Sequence, residues 1–278
     1  MRPITLLQPG RIVFGPGRAQ EAADDLLALG SRRIALVTSP PVLPLTDSIR
    51  AVLERKADLM VLARIEAEPT IEVFRQALAE VRDFGPDAVI GCGGGSALDV
   101  AKLVAAMIGS TQNVEEVFGI NLLGPRTTRL VCLPTTAGTG SEVSPNSILL
   151  DEADQLKKGV VSPHLVPDAA YVDPLLTHTM PPSVTAATGM DALVHCIEAY
   201  ANRHAHPLVD VYALEGIRLI GAHLKGAYEH PTDGAARAQM ALGSLLGGLC
   251  LGPVNTAAVH ALAYPLGGEF HIAHGVSN

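Results

Sequence analysis

Residues 87–109 read DAVIGCGGGSALDVAKLVAAMIG. DAVIGCG (87–93) is a short apolar run with β-branched residues, the pattern of a buried strand. GGGS follows at Gly93, Gly94, Gly95 and Ser96. ALDVAKLVAAMIG (97–109) then carries apolar residues at helical spacing. Strand, glycine turn and helix start together predict a phosphate cradle. Glycines let the backbone approach a pyrophosphate, and a helix N-terminus offers free N–H groups and the positive end of a dipole. The six-residue dinucleotide fingerprint is not matched, because Ser96 stands where its last glycine would be. The alternative is a tight connection that merely needs small residues, but three consecutive glycines exceed what a turn requires. Asp99 and Lys102, three apart on the helix, can pair on its surface.

The same alternation extends on both sides. Residues 32–39, 59–65, 87–93 and 129–135 read as strands, and 19–30, 46–57, 71–85 and 97–109 as helices. Strands alternating with helices imply right-handed βαβ units and a parallel sheet. A second polar loop follows the strand at 129–135: Thr135, Thr136, Ala137, Gly138, Thr139, Gly140, Ser141, Glu142. Hydroxyls and glycines after a strand suit a phosphate or ribose, although Thr139 or Ser141 could instead cap a helix. After residue 175 the pattern becomes helix only, in long apolar-periodic runs at 184–203, 207–230 and 235–252. The proline-rich stretch 160–183 lies between the two patterns. The expected organisation is an α/β dinucleotide-binding domain over 1–170 and an all-helical metal-binding and substrate domain over 171–278.

The helical part holds four potential metal ligands. Asp191 and His195 sit four apart in GMDALVHCIEAY, and His260 and His274 fourteen apart in VNTAAVHALAYPLGGEFHIAHG. On a helix the first pair shares one face. The neighbours Met190, Ala192, Leu193, Val194 and Ile197 are apolar, and a buried carboxylate beside a buried imidazole is costly unless paired or metal-bound. One oxygen and three nitrogens suit Fe²⁺ or Zn²⁺ better than Ca²⁺ or Mg²⁺. A metal with an open position polarises a carbonyl or stabilises an alkoxide. The competing readings are a helix surface pair for Asp191 and His195, and ordinary core histidines for His260 and His274. Glu198, one turn beyond His195, fits a supporting role or solvent better than ligation.

Bulk properties narrow the classes. The 278 residues are 48% hydrophobic and 17% charged, with a net charge of −8 and no basic run. That argues against nucleic acid or an anionic membrane surface as partner. Cys92, Cys132, Cys196 and Cys250 form no C-x2-C pair, so buried reduced thiols and a cytoplasmic location are expected. The N-terminus has no long apolar core of a signal peptide. Residues 238–268 lack Asp, Glu, Lys and Arg, but glycines and prolines interrupt them. They read as two helices buried in a soluble domain rather than a membrane span.

GGGSALDVAK (93–102), PTTAGTGSE (134–142), GMDALVHCIEAY (189–200) and HALAYPLGGEFHIAHG (260–275), in this order, resemble the iron-containing (metal-dependent, group III) alcohol dehydrogenases. The resemblance runs from residue 5 to the last residue. It implies a Rossmann-like α/β domain followed by an all-helical domain, with cofactor and metal in the cleft between them. The implied activity is NAD- or NADP-dependent interconversion of small alcohols with aldehydes or ketones. The resemblance favours Asp191, His195, His260 and His274 as ligands, and Thr135, Thr136, Thr139 and Lys158 as nucleotide contacts, with Asp99 near the cofactor. His271 could contact substrate, help position the nicotinamide ring or replace a ligand.

Two departures stand out. Tyr264 lies where many relatives carry a histidine thought to relay the proton, and a phenol with an ordinary pKa of about 10 relays poorly near neutrality. Ser39 ends the first strand where NAD-selective relatives carry Asp; serine removes the repulsion of a 2′-phosphate and admits NADP. The N-terminal stretch TLLQPGRIVFGPG implies, by the same resemblance, pairing in a homodimer. The family usually continues well past the HGxxN motif at 274–278, so the expectation is an incomplete helical domain and an impaired catalyst. The maleylacetate reductase branch of the family stays open. A dehydroquinate-synthase-like lyase or a non-catalytic binding module are the rival readings.

Overall fold

The computed structural model describes residues 2–66, 68–270 and 272–278. The α/β part runs β1 (Arg11–Phe14), α1 (Glu21–Ala28), β2 (Arg33–Thr38), α2 (Asp47–Leu53), β3 (Asp58–Ala63), α3 (Ile71–Phe84), β4 (Ala88–Gly93) and α4 (Gly95–Met107). It continues through β5 (Gly119–Ile120), β6 (Arg129–Pro134), β7 (Asn146–Asp151), β8 (Leu156–Val161) and β9 (Ala169–Val172). Every strand and helix expected before residue 136 is present, with ends shortened or shifted by a residue or a few.

The main sheet is parallel, with order β1-β9-β6-β4-β2-β3. All six residues of β4 are buried, as the central strand of a sheet covered on both faces should be. β2 shows how the layers form. Ala35 and Val37 pack with Phe74 of α3 and Leu98 and Ala101 of α4 on one face. Ile34 and Leu36 pack with Leu26 of α1 and Ile49 and Leu53 of α2 on the other. Strand side chains alternate in direction, so an uninterrupted apolar run serves both layers. α3 illustrates local specification: the Thr70 side chain accepts from Val73 N–H at its start, and Gly85 ends it in the left-handed conformation.

Counted from β2, the strand order is second, first, third, fourth, fifth. This is a doubly wound arrangement whose direction reverses between β2 and β4, and ligands bind beyond the carboxyl ends of strands at such a point. Ser39 and the Gly93 turn stand at those two ends, each two residues beyond the Val37–Gly91 pair.

Two features depart from the sequence expectation: β9 lies within the proline-rich stretch 160–183, where no strand was expected, and a second small sheet is present. β7 and β8 form an antiparallel hairpin, joined on its far edge by β5, where no strands were expected. Its apolar alternation is interrupted by Asp151–Gln155 and Lys157–Lys158, and its turn depends on Gln155 at φ 52°. The N-terminal segment Arg11–Phe14 pairs with β9 of its own sheet.

The remainder is helical: α5 (Pro182–Ala201), α6 (Pro207–Glu229), α7 (Gly234–Leu251), α8 (Ala258–Phe270) and α9 (His274–Ser277). The charge-free stretch forms much of α7 and α8, and among the described residues no helix is long and apolar enough to cross a membrane. Small residues let α5, α6 and α7 approach closely; a Cβ on Gly216 would fall 2.4 Å from Cys196 Sγ. All four cysteines are buried and free.

Candidate active site

The two polar loops meet. Thr135 N–H donates to Gly93 O at 3.0 Å. A Cβ on Gly94 would lie 3.3 Å from Thr136 Cγ2, and one on Gly95 would lie 2.6 Å from Thr139 Cγ2. The glycine turn is therefore bare because the threonines of the second loop stand against it. α4 begins at Gly95 with no side-chain cap on its first turn, which leaves N–H groups for an anion. Ser96 shares that first turn. The two loops that the sequence singled out are thus in contact with each other.

The second loop also reaches the helical part. A Cβ on Gly138 would lie 2.6 Å from Thr188 Cβ of α5, and one on Gly140 would lie 2.2 Å from Gly248 Cα of α7. Thr188 is one turn before Asp191. The second polar loop consequently rests on the helix that carries the first two proposed ligands.

The four expected ligands converge. The Nε2 atoms of His195, His260 and His274 lie 3.6, 3.4 and 3.6 Å from one atom, Asp191 Oδ1. The ligand atoms of Asp191, His195 and His260 all lie within 4.8 Å of one another. The rings of His195 and His260 stack at 4.6 Å. Asp191, His195 and His260 are buried, whereas the His274 side chain is 26% exposed and marks the open side. Asn278 donates from Nδ2 to Asp191 Oδ1 at 2.6 Å.

The electrostatics fit a divalent cation. Burial opposes the Asp191 charge, but His195, His260 and His274 outweigh it and hold the carboxyl well below the usual range. Burial lowers His195 and brings His274 down to about 4, in the direction of the neutral form whose lone pair a metal takes. His260 is shifted up: burial lowers it, and the Asp191 and Glu198 carboxylates more than compensate. Glu198 itself is a supporting residue. Its Oε2 lies 2.6 Å from His260 Nδ1, and its Oε1 accepts from Val259 N–H at 2.5 Å. It directs Nε2 of His260 into the cluster and anchors the start of α8. Such carboxylate–histidine pairs tune metal affinity by roughly 10–100-fold. Glu198→Gln is expected to weaken metal binding by about that factor without emptying the site at saturating metal, as read by metal titration of the apoprotein. Unchanged affinity would mean that Glu198 serves only the helix.

Three expected residues stand differently. Lys158 does not join the cradle; its Nζ binds Asp151 and Asp154 at 2.7 and 2.5 Å, on the hairpin's own acidic turn. Strand alternation points the preceding Lys157 the other way, onto Glu68 and against Gly267 of α8. The charge of Lys157 bears on His274, and the sequence reading did not single it out because it missed the hairpin. Asp99 and Lys102 are not a surface pair: Lys102 is fully buried, and both Asp99 carboxylate oxygens accept bonds from the 141–148 segment. Residue His271 lies outside the described residues. Tyr264 stands edge-on to His260 at 6.4 Å and tilted to His274 at 5.8 Å. Burial, with Asp99, Asp191 and Glu198, raises its phenol to about 12.

The comparisons with known proteins agree with this arrangement. Residues 9–174 match the model of the iron-containing alcohol dehydrogenases, and residues 185–278 match the C-terminal model of the Fe-containing alcohol dehydrogenase family. Long-chain-alcohol dehydrogenase 1 of Geobacillus thermodenitrificans is 42% identical over 96% of this chain and 70% of its own length. A crystal structure of 1,3-propanediol oxidoreductase superposes with a TM-score of 0.94 at 32% identity, covering 99% of this chain and 73% of that one. A sulfoacetaldehyde reductase from Bifidobacterium kashiwanohense in complex with NAD⁺ superposes with a TM-score of 0.92 at 30% identity, covering 100% of this chain and 74% of the other. The chain thus spans about 70% of the length of these relatives. A parallel sheet ending in a glycine cradle, a helical half carrying one carboxylate among three imidazoles, and matches to both family models lead to one conclusion: the chain belongs to the iron-containing alcohol dehydrogenase family.

Proposed function

We propose that the chain interconverts a small alcohol with its aldehyde or ketone, using NAD or NADP and a divalent metal, Fe²⁺ or Zn²⁺. The observation that carries this reading is the contact of the nucleotide loop with the ligand-bearing helix, Gly138 against Thr188. A hydride can pass between substrate and nicotinamide only if the two sites share one cleft wall.

In this reading Gly93, Gly94, Gly95 and Ser96 hold the pyrophosphate, and Thr135, Thr136 and Thr139 line the same cradle. Asp191, His195, His260 and His274 hold the metal, and Glu198 orients His260. Bound there, a divalent cation supplies Lewis acidity toward the substrate oxygen, while the nicotinamide accepts or returns the hydride. Tyr264 faces the open side as a hydrogen-bonding group; its raised pKa disfavours a role as proton relay near neutrality. The maleylacetate reductase branch calls for an unsaturated dicarboxylate as substrate, and a panel of alcohols, aldehydes and keto acids with each cofactor tests it. The homodimer implied by the N-terminal segment belongs to the same proposal and is tested by native mass.

Cofactor choice rests on Ser39, 9% exposed at the end of β2, with its carbonyl accepting from Val42 and Leu43 N–H. No carboxylate stands at that position to repel a 2′-phosphate. Ser39→Asp is expected to weaken NADP binding about tenfold or more and to leave NAD nearly unchanged, because a carboxylate repels the phosphate but accepts from the 2′-OH. Calorimetric titration with both nucleotides measures this. Equal loss for both would show that Ser39 does not face the adenosine ribose.

A further inference from the structure

The most buried charge in the α/β part belongs to neither proposed site. Lys102, on α4, has no exposed surface, and burial pulls its ammonium toward neutrality against the opposing pull of Asp99, Cys132 and Glu142. Its Nζ donates to Ser141 O at 2.9 Å, Ser141 Oγ at 3.1 Å, Ser144 Oγ at 3.4 Å and Asn146 O. Three protons thus serve four oxygens, all from the six residues that follow Gly140. Ser141 Oγ passes the link on, donating to Asp99 Oδ1 at 2.5 Å. Asp99 Oδ2 accepts from Ile148 N–H at 2.8 Å, and Ser147 Oγ donates to the Asp99 carbonyl at 3.0 Å. Two side chains one helical turn apart therefore grip the whole 141–148 segment.

That grip lies beneath the cradle. α4 begins at Gly95 of the glycine turn, and the gripped segment is continuous with Thr135–Gly140. The loops above touch at Gly94–Thr136 and Gly95–Thr139 but share only one backbone hydrogen bond, Thr135 to Gly93. On its other side the threonine loop rests on α5 and α7 at Gly138 and Gly140, and Ser141 N–H donates to Thr139 Oγ1 at 3.3 Å; toward α4, the grip on the segment that follows supplies the remaining polar bonds. A buried charge is costly, and fixing one arrangement is among the roles for which such a group is retained.

We propose that Lys102 is a positioning residue for the cofactor: its buried ammonium clamps the 141–146 segment to α4, so that the glycine turn and the threonine loop form one preorganised nucleotide cradle. The proposal rests on the reading of these loops as the nucleotide site. It assigns Lys102 no contact with nucleotide or metal.

Lys102→Met keeps the side chain's length and apolar body and removes only the donor group. NAD and NADP dissociation constants, nucleotide KM and kcat, and bound metal are measured on the variant and the wild type. The expected result is a rise of about tenfold or more in nucleotide dissociation constant and KM, as for loss of charged hydrogen bonds. Metal content and the KM for alcohol should stay at wild-type values. Ser141→Ala, which cuts the link to Asp99 and one of the four acceptors, gives a smaller rise of the same kind and serves if Lys102→Met does not fold. Wild-type nucleotide affinity in either folded variant overturns the clamp. A parallel loss of nucleotide and metal binding also overturns it, because that is the mark of general unfolding. If the wild type binds neither nucleotide, the functional reading falls and takes this proposal with it.

Discussion

Replacing His195 by alanine is expected to leave the protein with little metal and to lower alcohol turnover by on the order of 10³-fold or more, the equivalent of several kcal/mol of lost Lewis-acid stabilisation. The reason is geometric. His195 is buried beside Asp191 on α5, and its Nε2 is one of three imidazole nitrogens directed at a single carboxylate oxygen. Removing it leaves Asp191 with two imidazoles and opens a hole that no neighbouring nitrogen fills. The fold should survive, since His195 contributes one ring to a helix whose packing rests on Ala192, Cys196 and Ala199. Elemental analysis beside circular dichroism separates the outcomes. A folded His195→Ala protein with full metal content would remove His195 from the ligand set.

Gly140→Val should cost about 2–5 kcal/mol of stability, combining the left-handed backbone penalty with overpacking. Gly140 has φ 62°, and its Cβ position lies 2.2 Å from Gly248 Cα and 2.8 Å from Gly248 N. Both obstacles are backbone, so no side-chain rotation relieves them. The contact joins the nucleotide loop to α7, and a branched side chain would push the α/β and helical halves apart. For a chain of this size the thermal midpoint should fall by roughly 5–15 °C. Nucleotide affinity should fall with it. A midpoint within a degree or two of wild type would show that α7 yields easily and that the close approach is not a fixed feature of the cleft.

Much of this arrangement was readable in the chain. β4 and its glycine turn were legible because a buried parallel strand is a continuous apolar run and because a helix with apolar spacing follows at once. The helices from residue 182 onward were legible for the same reason of period. Asp191 and His195 were legible as a pair because helical geometry alone brings residues four apart together. His260 and His274 were not: fourteen residues, a proline inside α8 and a break before α9 separate them, and only their resemblance to known motifs singled them out. The β7–β8 hairpin escaped because its pattern is short, charged and held by one left-handed glutamine. Without the hairpin, nothing in the sequence told which face Lys158 takes, and the structure turns it onto Asp151 and Asp154. Lys102 was read as a surface residue because a lone lysine on a helix usually is one. Its burial depends on oxygens some forty residues away, which no local pattern announces. Glu198 was read as a support or a solvent-facing residue, and its partner, His260, could be assigned only in three dimensions.

The central claim, that one cleft joins a nucleotide cradle to a divalent-metal centre for hydride transfer, is tested most directly by metal reconstitution. The protein is stripped with chelator and supplied with NAD or NADP and a panel of alcohols, and reduced nicotinamide is followed as Fe²⁺ or Zn²⁺ is returned. The account predicts no reduction in the stripped protein, restoration that saturates near one metal per chain, and no restoration in His195→Ala. Alcohol-dependent reduction at an undiminished rate in fully stripped protein, or restoration of His195→Ala to the wild-type rate at the same metal concentration, would contradict it.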